Sequence, residues 1–352
     1  MAVKTFLFLL LFISATLQVF AQQVHQKVVA KAGDGIFTLL RRHGLNYSEY
    51  ASQFLELNRD NLGKDNSLFV GKTYLLPHTS AGGASAAAAS AASGTSAAAA
   101  PASSARVLNV PLFGPKYARV EIKDQQLSGA VYYISAGHGG PDPGAIGKYG
   151  SHSLGEDEYA YDVSIRLARA LMEHGATVYM IVQDPDDGIR DESILKMDRD
   201  EVHYPNKVIP LNHKQRLRER TAIVNSLYAK HKSAYQRMLA IHVDSRSKSQ
   251  KIDVFFYHHE NSPTGKKLAE SIHQTFTSKY KRYQPNRAYS GSVSERSTLY
   301  VVKNSRPPTV FIELGNIRNN LDQRRFVIPS NRQALANWIK DGIVADYKNR
   351  GK

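Results

Sequence analysis

Val131-Tyr132-Tyr133-Ile134-Ser135-Ala136-Gly137-His138-Gly139-Gly140-Pro141-Asp142-Pro143-Gly144 decides how the chain is read. Residues 131–135 form a short apolar run, the pattern of a buried strand. The run stops among glycines that surround one histidine. His138, placed just after a strand in an accessible loop, suits a metal ligand or a base. The plain alternative is a turn residue with no chemistry.

Working outward, residues 156–175 read as a helix. Ala160, Val163, Leu167 and Leu171 recur at helical spacing and would face a sheet, and Gly175 closes it. Residues 177–182 are the next strand. The polar stretch 183–212 is too long for a simple connection, which suggests a functional or mobile element, regulatory or gating. A helix over 214–231 follows, then a strand over 237–241 ending at His242. Residues 253–257 read as a strand and 265–280 as a helix. Residues 298–302 and 309–312 read as strands, the second ending at Glu313, and a last helix covers 332–347. This alternation predicts an α/β fold, with a mixed, largely parallel twisted sheet flanked by helices. Ligands in such sheets sit at the carboxyl ends of the strands. His138, His242 and Glu313 are each predicted there.

The chain has 352 residues, 46 Lys+Arg against 31 Asp+Glu, a net charge of +15 and no cysteine. Disulfides, thiolate metal sites and cysteine catalysis are excluded. The charge points to an anionic partner: nucleic acid, a membrane surface or an acidic polymer. The N-terminus narrows this. A positive start through Lys4, an apolar run over 6–13 and Val19-Phe20-Ala21 are the layout of a cleavable export signal, residues 1–21. The run is short for a bilayer span, so no stable membrane anchor is expected after cleavage. The expected location is periplasmic or extracellular, associated with the cell wall, with no nucleic acid as partner. Residues 79–105 are nearly pure Ala and Ser and read as a linker. They separate a small module, 25–78, from a large domain, 106–352.

The small module reads β-α-α-β. Its Gly33-Asp34, Leu57-Asn58, Val70-Gly71 and Leu75-Leu76-Pro77 resemble the LysM domain, although Gly35 stands where that family usually has Thr. The resemblance implies binding to N-acetylglucosamine-containing glycans such as peptidoglycan.

In the large domain, two histidines and a carboxylate make a three-ligand zinc set of the catalytic type. A further carboxylate must then move protons. Glu156 or Glu158 could be the ligand and Glu313 the base, and on spacing alone the glutamates could exchange roles. The segment from Val131 onward resembles the zinc-dependent N-acetylmuramoyl-L-alanine amidases. The matching stretches are GHGGPDPGAIG at 137–147, the helix headed by Glu156, RLRERTAIVN at 216–225, AIHVD at 240–244 and IELGNIRN at 312–319. The resemblance implies Zn2+ held by His138, Glu156 and His242, with Glu313 as catalytic acid/base. It also implies peptidoglycan as substrate and a role in wall remodelling or daughter-cell separation; an activator protein is a candidate further partner. Ala240, Asp244 and Asn316 depart from the family's usual Ser, Asn and aromatic. The spacer after His138 is longer than usual, which keeps Glu158 as the alternative ligand. Two rival readings are a zinc peptidase acting within stem peptides and a non-catalytic wall-binding protein. Elsewhere, His258-His259 is expected at the surface and Arg220 on a helix face with local bonds, while Arg296, just before a strand near the site edge, is a lesser candidate for contact with a substrate carboxylate.

Overall fold

The computed structural model describes residues 25–31, 34–43, 45, 47–63, 67–78 and 106–350. The expected export signal (1–21) and Ala/Ser linker (79–105) lie outside the described residues, as does Gly33 of the small module.

Near the N-terminus, strands Lys27–Val29 and Thr73–Leu75 pair antiparallel, with helices Ile36–Arg42 and Tyr47–Leu57 between them in sequence. Val28, Leu39, Leu40, Phe54 and Tyr74 give this unit its own core. Asn58 is fully buried. Its Nδ2 donates to the carbonyls of Phe54 and Leu75, both at 2.8 Å, and its Oδ1 accepts from the Leu75 amide at 2.7 Å. One amide side chain thus ties the second helix to the second strand and satisfies buried backbone groups that would otherwise cost stability.

The large domain is built on a six-stranded sheet. In chain order its elements are β1 (Ala130–Ala136), α1 (Glu156–Met172), β2 (Thr177–Met180), α2 (His213–Lys230), β3 (Tyr235–Asp244), β4 (Phe255–His258), α3 (Pro263–Tyr283), β5 (Ser292–Glu295), α4 (Tyr300–Asn304), β6 (Thr309–Asn316), α5 (Asn320–Val327) and α6 (Pro329–Lys348). The strand order is β5-β4-β6-β3-β1-β2. Only β4 with β6 is antiparallel. The sheet is therefore mixed and largely parallel, as the alternation predicts.

Strand periodicity sorts the core into two layers. Tyr132, Ile134, Leu239, Ile241, Val310 and Ile312 pack on the side of α1, α3 and α6. Val131, Tyr133, Met238, Ala240 and Phe311 pack on the side of α2 and α4. Both faces are covered, so the central strands read as apolar runs and not as alternating ones. By the same parity His242 and Glu313 lie on the α2 and α4 side.

In detail the elements differ from the expectations in places. Residues 298–302 do not form a strand. The β-branched run favours one, but Val301 and Val302 are buried from the short helix α4, and packing overrides propensity. The last helix is found where it is expected, as α6, and a further short helix, α5, precedes it. Pro329 has no amide hydrogen to continue α5 and instead starts α6 at its first turn. The long polar stretch 183–212 carries strands of its own: Val182–Gln183, Val202–His203 and Lys207–Val208 form a small antiparallel sheet. In addition, His258 is buried at the end of β4, where the surface was expected.

Asp162 on α1 is fully buried between Arg166 (2.7 Å) and Arg332 of α6 (2.6 Å). Arg332 also donates to the carbonyls of Arg190 and Glu192, both at 2.8 Å. Arg332→Ala removes one of the two guanidinium partners of the buried Asp162 and the donor to the Glu192 carbonyl, and leaves a cavity. The expected loss is about 3–5 kcal/mol, seen as a lower urea midpoint. An unchanged midpoint would show that the network carries no net stability.

Candidate metal centre

β1 delivers the chain to Gly137, where an added Cβ would collide with the His242 ring. His138 then adopts a left-handed backbone (φ 58°), unusual for a residue with a side chain. The strained turn is held from behind. Arg220 on α2 is buried and donates to the carbonyls of His138 and Ala136, and its Nε donates to His203 Nε2 at 3.0 Å. Arg220 was expected to bond locally; it reaches across to the His138 loop.

Three side chains meet here. His138 Nε2 lies 3.2 Å from Glu156 Oε2, and His242 Nδ1 lies 2.9 Å from Glu156 Oε1. The two rings stand nearly perpendicular, their centres 5.1 Å apart, and His242 stacks on Phe311 at 4.3 Å. One nitrogen from each ring and a Glu156 oxygen all lie within 4.8 Å of one another. Glu156 opens α1 and is held in place: the amides of Ala145 and Val243 donate to Oε2 (2.9 Å) and Oε1 (3.1 Å). Acidic residues also suit the positive end of a helix.

Glu158 goes elsewhere. Two residues further along a helix, it points away from Glu156. It accepts from the Asp198 amide at 3.0 Å and pairs with Arg190 at 2.9 Å. The histidine pair therefore meets Glu156 and not Glu158.

Asp142 supports the centre from outside. Its Oδ2 lies 3.0 Å from His138 Nδ1 and accepts from Arg216 Nη2 at 2.7 Å, while its Oδ1 accepts from the Gly144 amide. This occupies Nδ1 and leaves Nε2 facing Glu156, the arrangement that orients metal-ligating histidines. The sequence reading gave Asp142, Arg216 and Arg220 no role at the site. Their only signal was membership of the quoted motifs.

The charges favour a cation. Burial alone would depress the His138 pKa, but Asp142 and Glu156 hold its proton and push it up to about 10. Burial would raise Glu156, yet the two imidazoles hold it well below the usual carboxylate range. His242 is lowered, chiefly by burial. The site thus retains a positive charge against desolvation. With its oxygen and imidazole-nitrogen donors, it fits a divalent ion such as zinc.

Glu313 sits opposite His242 in the β3–β6 ladder. Its Oε2 is buried without a hydrogen-bond partner. Burial, then the negative charges of Glu156 and Asp244, raise its pKa well above the ordinary value. A pocket of about 370 Å³ opens at the centre, lined by His138, Asp142, Arg216, His242, Tyr300 and Phe311. Arg296 is exposed over the Tyr257 ring at 5.0 Å, and its charge acts on Glu313. His152 is exposed in the strand His152–Gly155, outside this cluster.

The family model described as N-acetylmuramoyl-L-alanine amidase matches residues 133–345. The chain belongs to the N-acetylmuramoyl-L-alanine amidase family. It is 25% identical over 232 residues to the germination-specific N-acetylmuramoyl-L-alanine amidase of Bacillus subtilis, covering 64% of this chain and 83% of that protein. Among solved structures, the amidase AmiC2 of Nostoc punctiforme matches with a TM-score of 0.44 and 18% identity, over 64% of this chain and 99% of that one. The CwlD amidase of Clostridioides difficile, solved in complex with the GerS lipoprotein, matches with a TM-score of 0.46 and 21% identity, over 62% and 98%. As a family member, the chain has N-acetylmuramoyl-L-alanine amidase activity and is a cell-wall hydrolase whose substrate is peptidoglycan. No helix among the described residues is long and apolar enough to cross a membrane.

Proposed function

We propose that the chain is an exported, zinc-dependent amidase that cuts the bond between N-acetylmuramic acid and L-alanine during wall remodelling or daughter-cell separation. His138, Glu156 and His242 would hold the ion. Bound there, zinc supplies a Lewis acid that polarises the scissile carbonyl and acidifies a water. The protein's own groups do the rest. Asp142 keeps His138 Nε2 directed at Glu156, and the Ala145 and Val243 amides keep the carboxylate from swinging. Glu313 Oε2 takes the proton of the attacking water and passes it to the departing amine of L-alanine. The partnerless, buried Oε2 of Glu313 beside the two imidazoles on one pinned carboxylate carries this reading.

The N-terminal unit, with its own core and βααβ order, supports a LysM-like glycan-binding role. The proposed division is a signal (1–21), this module (25–78), a linker (79–105) and the catalytic domain (106–352). Tethering would keep the catalytic domain at high local concentration on the wall. An activator protein would show itself as a rise in turnover on adding wall-associated proteins to the purified chain.

Mass spectrometry of digested peptidoglycan is the direct test. The expected products are intact stem peptides beginning with L-alanine, absent after chelation and restored by zinc. Unchanged digestion after chelation would overturn the metal assignment, and products cut within the stem would overturn the bond assignment.

A further inference from the structure

The loop between Val182–Gln183 and Val202–His203 carries an unusual number of acids. Asp184, Asp187 and Asp198 bring carboxylate oxygens within 4.8 Å of one another, and Asp184 shares a second such group with Asp186 and Asp200. Asp184 is 1% exposed. Its Oδ1 accepts from the amides of Asp187 (2.9 Å) and Asp186 (3.4 Å), but its Oδ2 is buried with no hydrogen-bond partner. Asp198 Oδ1 is likewise buried and partnerless.

The charge does not balance. Five carboxylates converge on this loop, and Arg190 pairs with only one of them, Asp187, while also reaching Glu158. Buried charge without a partner is costly, and a partnerless oxygen facing two other carboxylates calls for a proton or a cation there. We propose that this loop binds a hard divalent cation of the calcium class, with Asp184, Asp187 and Asp198 as its ligands and Asp186 and Asp200 adding charge at the rim. The donor set selects the ion. It is oxygen only, without the nitrogen or sulfur that zinc prefers. Its irregular loop geometry suits calcium, whereas magnesium demands near-octahedral order.

The position gives the ion a task. The Asp198 amide donates to Glu158 Oε1 at 3.0 Å, in the first turn of α1 that begins with Glu156. Glu201 Oε2 accepts from the Gly140 amide at 2.6 Å, two residues beyond His138. The Arg190 amide donates to Asp162 at 2.9 Å. Neutralising the acids would therefore brace the loop against two segments of the catalytic centre. This gives the long polar stretch a stabilising role.

The test is calorimetric titration of the zinc-loaded full chain with CaCl2, followed by thermal unfolding. One equivalent of calcium should bind. The Tm should rise by about 5 °C or more at calcium 100-fold above Kd. Asp184→Asn should weaken calcium binding at least about tenfold while zinc content stays the same. Should Asp184→Asn fail to fold, Asp200→Asn on the exposed rim should still weaken calcium binding in a folded protein. No binding and no Tm shift in the unmodified chain at about 10 mM calcium, a weak affinity even for extracellular sites, would overturn the proposal. So would an undiminished response in Asp184→Asn or Asp200→Asn, or a preference for magnesium.

Discussion

Glu313→Gln should keep its metal and its fold and lose about 10²–10⁴-fold in kcat, the usual worth of a positioned proton carrier. Gln matches Glu in size and polarity but cannot shuttle a proton. KM should change little, because Gln keeps the size and polarity of the side chain. The pH profile separates this role from a structural one. Loss of the carboxyl should remove the acid limb of kcat that Glu313 produces, whereas a distorted site would lower the whole profile without changing its shape. Stability should move the other way. The Glu313 pKa is raised in the folded metal-free chain, so its contribution is fully present below the unfolded pKa and is lost as pH rises through the folded one. At neutral pH the carboxyl is therefore a burden that Gln lacks. The metal-free variant should melt higher than the parent near pH 7, and the gain should vanish near pH 4. A variant with full turnover would remove Glu313 from the reaction.

The second large effect is expected at the histidines. His138→Ala and His242→Ala should each lose the metal and bring hydrolysis to background, measured by metal analysis and by release of stem peptides. Metal binding should also release protons, since His138 holds its proton up to about pH 10 without a metal. The heat of zinc binding should therefore depend on the ionisation enthalpy of the buffer, and affinity should fall as the pH is lowered. Asp142→Asn should be milder, about 10–100-fold in metal affinity, as for other groups that orient a ligand. Equal zinc content in all three variants would refute the proposed ligand set.

Much of this architecture is legible in the sequence. Short apolar runs located β1, β2, β3 and β6, and strand-end placement picked out His138, His242 and Glu313. His242 and Glu313 in fact lie inside longer strands, β3 and β6, because the ladder continues past the apolar residues. Spacing could not separate Glu156 from Glu158, since both are acids in one helical turn. Only the helix rotation, which sends one to the imidazoles and the other to Arg190, does so. Asp142, Arg216 and Arg220 lie in the quoted motifs, but their roles were hidden for a different reason. Arg216 lies 74 residues from Asp142 in sequence, and no local pattern reports such a pairing. The acids at 184–200 were equally plain in the sequence, but their convergence on one buried oxygen depends on how the loop folds back.

The parts of the centre differ in how they are anchored. His242 and Glu313 sit side by side on two central strands, where opening should cost the most. His138 depends on a turn of glycines and on a guanidinium reaching from α2. The proton carrier and one imidazole should thus stay in register for as long as the domain is folded, while the other imidazole can leave by a small local opening. Heat would then silence this enzyme in two stages, first by loosening the His138 turn, reversibly, and only later by melting the sheet.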